Sequence, residues 1–158
     1  MDTLSHSLWG RLLFGRRVYP WLAFFFGAMP DLFSFGLLFL IRIGSLQFHS
    51  GPPPLETIPW WVFVNYNISH SFLSAFAAII IVSRFNSQLA FAMLAWPFHI
   101  LLDFPFHTLA FFPTKIFWPL SDFVVDGIPW SHPAVWFPNV AGIIIVYFYG
   151  RKKRKNRL

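Results

Sequence analysis

The chain has 158 residues, of which 56% are hydrophobic, 22% aromatic and only 11% charged. A soluble domain carries about 25% charge, so most soluble classes are excluded before any motif is read. The net charge of +6 does not point to nucleic acid: six of the twelve Lys and Arg form one terminal run, Arg151-Lys152-Lys153-Arg154-Lys155-Asn156-Arg157, with no aromatic or polar reading surface beside it. That run reads as an anchor on anionic lipid. There is no Cys, so disulfides and thiolate ligands are excluded, and any metal must be held by His and carboxylates.

In chain order, the segment 1–14 is too short to cross a bilayer. Leu4, Leu8, Leu12 and Leu13 recur in it at helical spacing. This predicts a short amphipathic helix that lies in the interface or dips between the spans. Arg11, Arg16 and Arg17 then precede an apolar stretch that is too long for a signal-peptide core and is interrupted by Asp31, so it reads as a retained span. Four such stretches, 18–41, 58–83, 89–112 and 133–149, are the expected transmembrane helices. The first three exceed the roughly 20 residues needed to cross about 30 Å of hydrocarbon. The fourth is shorter and contains Pro138 and Asn139, which leaves a re-entrant segment as an alternative. Loops 44–59, with Pro52-Pro53-Pro54, and 113–132, rich in Trp and Pro, separate them on the outer side. Trp9, Trp21, Trp60, Trp61, Trp118, Trp130 and Trp136 sit near the ends of the runs, as interfacial aromatics do.

With both termini cytoplasmic, Arg11, Arg16, Arg17, Arg84 and the tail place ten of the twelve Lys and Arg inside, leaving Arg42 and Lys115 outside. An odd number of spans destroys that bias. The expected fold is an all-α integral membrane bundle of about four transmembrane helices plus the short N-terminal helix. It forms one domain, 1–150, with a basic cytoplasmic tail, 151–158, and belongs in a cell inner (plasma) membrane.

The informative residues are those that lipid should reject. A carboxylate at the bilayer centre costs at least about 2.5–3.5 kcal/mol and normally faces the bundle interior with a partner. Asp31, His70, His99 and Asp103 all fall inside the expected spans. At about 1.5 Å per residue, the first three lie about 15–20 Å deep and Asp103 about one turn further out. Side chains on three helices thus share a layer, as a bundle-core site requires. His99 and Asp103, four residues apart, project from one face and suit a shared metal or a carboxylate that orients an imidazole. His107 continues that row, although Pro105 should break the helix before it. Asp2 and His6 repeat the spacing on the short helix. Blander readings exist for each. His70 could be a hydrogen-bonded helix contact, Asp31 a cap after Pro30, and His99 with Asp103 a simple pair; His107, His132, Asp122 and Asp126 read as structural, interfacial or solvated.

Several short pieces carry a resemblance: Asp2-Thr3-Leu4-Ser5-His6-Ser7-Leu8-Trp9-Gly10, Pro30-Asp31, Ser69-His70-Ser71, His99-Ile100-Leu101-Leu102-Asp103 and Trp118-Pro119-Leu120-Ser121-Asp122. In this order the chain resembles the YdjM-like family, described as LexA-binding, inner membrane-associated, predicted membrane-bound metal-dependent hydrolases. The resemblance implies a small helical membrane protein with His6, Asp31, His70, His99 and Asp103 as metal ligands. The chain departs from the family's pattern in Asn65-Tyr66-Asn67-Ile68, where many members have His-Arg, and in Phe33-Ser34, where many have a second Asp. The expected function is hydrolysis of a lipid-like or phosphoester substrate by a water activated on a divalent metal, zinc first by ligand type and manganese or iron next. Asp31 or Asp103 is the carboxylate left to act as base. The alternative is a non-catalytic membrane protein: an ion or proton carrier, or a protein that docks a partner through its tail.

Overall fold

A computed structural model describes residues 1–15, 19–45 and 53–155. Arg16, Arg17 and Val18, the stretch 46–52 with the first proline of the triple, and the last three tail residues lie outside the described residues. The described chain is all-α and forms six continuous helical rods. Their helices are α1 (Thr3–Phe14), α2 (Pro20–Asp31), α3 (Leu37–Gly44), α4 (Trp60–Ser69), α5 (Phe72–Ser83), α6 (Ser87–Met93), α7 (Ala95–Asp103) and α8 (Pro133–Lys155).

Polarity runs opposite to that of a soluble protein. Ser5, His6, Ser7, Ser34, Ser69, His70, Ser71, His99, Asp103 and Thr114 are buried, while Leu40, Ile81, Ile145 and Phe148 are exposed. Among the described residues two helices, Pro20–Gly44 and Pro133–Lys153, are long and apolar enough to cross a membrane; a bent pair, Trp60–Ser69 with Phe72–Ser83, makes a third if it is one span. The other expected span, 89–112, stays helical only as far as Asp103. Pro105 cannot continue the helix, and the chain turns there.

The rods break where the sequence forbids continuation. α2 opens with Pro20, whose missing N–H costs nothing at a first turn. Pro30 then removes a helical donor, and the helix widens into a π turn over Leu32–Gly36 before resuming as α3. The Ser34 hydroxyl fills that turn by donating to the Pro30 carbonyl at 2.8 Å. Asp31 passes through the turn without capping anything, so the capping reading of Asp31 is overturned. The bend of 56° between α4 and α5 falls at His70-Ser71, where Ser71 leaves helical geometry and caps α5 by accepting from Leu73 N at 3.1 Å. The loop of the Trp118–Asp122 motif latches this break: Ser71 Oγ donates to the Trp118 carbonyl at 2.6 Å and Phe72 N to Ile116 O at 2.9 Å.

α1 does not lie in the interface. It runs antiparallel to α2 inside the bundle, with Thr3 Oγ1 donating to Asp31 Oδ2 at 2.7 Å and Gly10 packed on Ala23 and Gly27. Met1 is buried and its nitrogen contacts Asp103. The N-terminal end therefore sits in the bundle core, the second of the two placements expected for segment 1–14. α8 closes on α1 through Asn139, which accepts from Trp9 Nε1 at 2.8 Å and donates to Ser5 Oγ at 2.9 Å. Asn139→Leu removes both bonds and leaves the indole N–H unpaired. Destabilisation of about 1–2 kcal/mol is expected, read as a lowered thermal midpoint in detergent; an unmoved midpoint would mean that α8 docks by apolar packing alone.

Candidate metal centre

Asp31 from α2, His70 from the α4–α5 break, and His99 and Asp103 from α7 each offer one ligand atom, and these atoms lie within 4.8 Å of one another. All four are candidates from the sequence, and the bundle brings them together. His70 and His99 face each other with Nε2 atoms 3.1 Å apart. Asp103 Oδ2 lies 3.1 Å from His99 Nε2 and 3.5 Å from His70 Nε2, and Asp31 Oδ1 lies 3.7 Å from each. Three of the side chains are fully buried; that of Asp31 is 15% exposed, which makes it the group's opening to the surroundings.

Backbone carbonyls hold both imidazoles. The Gly27 carbonyl accepts from His99 Nδ1 at 2.7 Å, so that nitrogen carries the proton and His99 Nε2 turns a lone pair inward. His70 Nδ1 lies 3.1 Å from the Tyr66 carbonyl and 3.0 Å from Ser69 Oγ, which can donate to it, so His70 can take either tautomer. With its proton on Nδ1, both Nε2 atoms and both carboxylates offer electron pairs to one point, the arrangement a cation needs. Asp103 Oδ2 is buried with no hydrogen-bond partner among the described residues, an oxygen that a cation among these groups would satisfy. The donor set of two imidazoles and two carboxylates fits a divalent transition metal.

The fifth expected ligand, His6, stands beside this group. Its Nε2 lies 2.9 Å from Asp103 Oδ1, and its ring stacks on His99 with centroids 3.6 Å apart. Asp2 caps α1, accepting from Ser5 N at 2.8 Å and Ser5 Oγ at 2.7 Å. His107 also reaches the site. Its Nε2 is 3.5 Å from Asp103 Oδ2, while Nδ1 donates to the Phe112 carbonyl at 2.8 Å. The i, i+4 row from Asp103 pointed to it, but the direction beyond Pro105 was not legible. Asp122 pairs with Lys115 at 2.7 Å, Asp126 accepts from Leu109 N at 3.0 Å, and His132 Nδ1 accepts from Ala134 N at 3.2 Å, as solvated or structural residues do.

Sequence reasoning missed two contributors. Thr3 holds Asp31, and its place beside Asp2 in the first motif was the available signal. Tyr66 stacks on His70 with centroids 3.9 Å apart and hydrogen-bonds Thr114 Oγ1 at 2.9 Å. It falls in the very stretch where the chain departs from the family pattern. No family model matches this chain, and neither does any curated protein or solved structure. The resemblance to the YdjM-like hydrolases accordingly rests on its motifs.

Proposed function

We propose that this chain is a membrane-embedded, metal-dependent hydrolase of the YdjM-like kind, with His70, His99 and Asp103 holding one divalent ion and Asp31 beside it. The observation that carries this reading is the convergence of one ligand atom each from Asp31, His70, His99 and Asp103 within 4.8 Å of one another, with the His70 and His99 Nε2 atoms 3.1 Å apart. Zinc suits the donors first, with manganese or iron next. A bound ion supplies a water ionised near neutral pH and polarises the scissile group.

The chain's own residues divide the remaining work. Asp103, wholly buried and touched by His6, His99 and His107, is the structural ligand. Asp31 faces the cavity beside it and is held by the Thr3 hydroxyl, so it is placed to take the proton of the attacking water at Oδ1. His6 orients Asp103 by donating from Nε2 to Oδ1. The membrane reading extends to four crossings in an inner (plasma) membrane, the helical rod 87–103 being the additional one, with the basic end of α8 on the cytoplasmic side against anionic lipid.

Protein purified in detergent is expected to retain about one equivalent of metal per chain. Chelation should abolish hydrolysis of a chromogenic phosphoester, and zinc or manganese should restore it. Protein that stays metal-free after exposure to both ions would end the hydrolase reading. Zinc transport into sealed vesicles by protein that hydrolyses nothing would establish the carrier alternative in its place.

A further inference from the structure

Beside Asp31 lies a cavity of about 910 Å³ whose wall changes character along its length. At one end stand Met1, Asp2, Thr3, Asp31 and His107. From there Leu32, Phe35, Gly36 and Phe39 continue it along one face of the Pro20–Gly44 helix. Leu32 and Phe39 are themselves exposed on that helix, Phe39 by 65%, so the apolar end opens sideways towards lipid. The loop after α7 forms the other wall. Its 127–130 segment folds back on Pro105–His107 through Gly127 N to His107 O at 2.9 Å and Trp130 N to Phe106 O at 3.1 Å. A Cβ on Gly127 would fall 2.2 Å from the Pro105 carbonyl, so this wall is set by close backbone contact.

We propose that this cavity seats a single-chain, phosphate-headed membrane lipid, its head at Asp31 and His107 and its chain along Leu32, Phe35 and Phe39 into the bilayer. A phosphate offers anionic oxygen to a divalent ion held by carboxylate and imidazole. A water-soluble phosphoester leaves the aromatic wall unmatched. The volume stands near the top of the roughly 300–1,000 Å³ range of small-ligand pockets, room for a head and one chain. The cavity follows the C-terminal half of the Pro20–Gly44 helix and is walled by the loop that leads into α8 at Pro133. The lipid therefore enters from the leaflet remote from the basic end of α8. What becomes of the head rests on the hydrolase reading; what is bound rests on the cavity.

Gly36→Leu separates the two. Gly36 has φ −58° and ψ −45°, which any L-residue adopts. A Cβ there meets only Leu32 side-chain atoms, at 3.7 and 3.8 Å, so the new side chain enters the cavity without displacing backbone. The probe is dodecyl phosphate brominated at the chain end, added to protein in phosphatidylcholine vesicles. The readout is quenching of tryptophan fluorescence, since Trp130 lines the cavity. Saturable quenching is expected in the wild type. In Gly36→Leu the half-saturating mole fraction should rise about tenfold, with metal content unchanged, and Trp130→Phe should lose the saturable part. Equal half-saturation in wild type and Gly36→Leu would overturn the lipid seat, as would equal saturation by a brominated dodecane that lacks the head. Saturable binding by protein that stays metal-free after exposure to zinc and manganese keeps the seat and removes the hydrolase. Metal retention without saturable quenching removes the seat and leaves the hydrolase standing.

Discussion

Asp103→Asn is expected to strip the centre of its metal, with retained metal falling to about a tenth of the wild-type content or less and hydrolysis lost with it. The side chain is fully buried, lies 3.1 Å from His99 Nε2 and 3.5 Å from His70 Nε2, and receives His6 Nε2 at 2.9 Å. Asparagine keeps the volume and removes the charge, so packing is preserved while the strongest anionic donor disappears. Breaking a buried charged group from its partners costs about 3–5 kcal/mol when the partners stay charged. Here the partners are imidazoles and the Met1 amine, each of which can lose its proton and become neutral, so the apo fold should survive and the loss should fall on the metal. The check is metal content by mass spectrometry beside thermal unfolding with and without zinc. Wild type should gain about 2.7 kcal/mol at a hundredfold excess over Kd, whereas the variant's midpoint should not move. A variant that keeps its metal and its zinc-dependent midpoint would show that Asp103 is not a ligand.

Gly27→Val should be the most damaging change outside the centre. A Cβ at Gly27 would sit 2.4 Å from the His6 carbonyl oxygen and 3.1 Å from Ser7 Cα, both backbone atoms that cannot step aside. Across the seam, a Cβ at Gly10 would sit 2.5 Å from Ala23 O. Ala23 and Gly27, one turn apart on α2, thus let α1 approach as small residues do in membrane helix pairs. Valine forces α1 outward and carries away His6 and Thr3. It also disturbs the Gly27 carbonyl that sets the His99 tautomer. The expected loss is about 3 kcal/mol or more, from overpacking joined to a broken buried polar network, with metal lost in the same preparation. Gly44, with nothing among the described residues within 4 Å of its would-be Cβ, is the control, and Gly44→Ala should leave thermal midpoint and metal unchanged. A Gly27→Val protein that unfolds like wild type would show that α1 is not pinned at this crossing.

The sequence by itself showed helices apolar enough to cross a membrane, through 11% charge and long apolar runs. It also singled out four polar residues within those runs, three at one depth and Asp103 about one turn further out. Helical periodicity put His99 and Asp103 on one face, because i and i+4 meet within a single helix whatever surrounds it. Periodicity stops at the end of a helix, however. Whether α1 lay on the membrane or inside the bundle was left open by its leucine spacing, and the Gly10–Ala23–Gly27 contact decided it. The helical extent of 89–112 was overestimated because apolar composition does not register the break at Pro105. That break is also what frees the chain to fold back, place His107 beside Asp103 and wall the cavity. Only the tertiary structure decided which nitrogens of His70 and His99 face inward, since the groups that hold them, the Tyr66 and Gly27 carbonyls, are backbone atoms that no residue type announces. A metal centre depends on those directions, and they arise from how the helices cross.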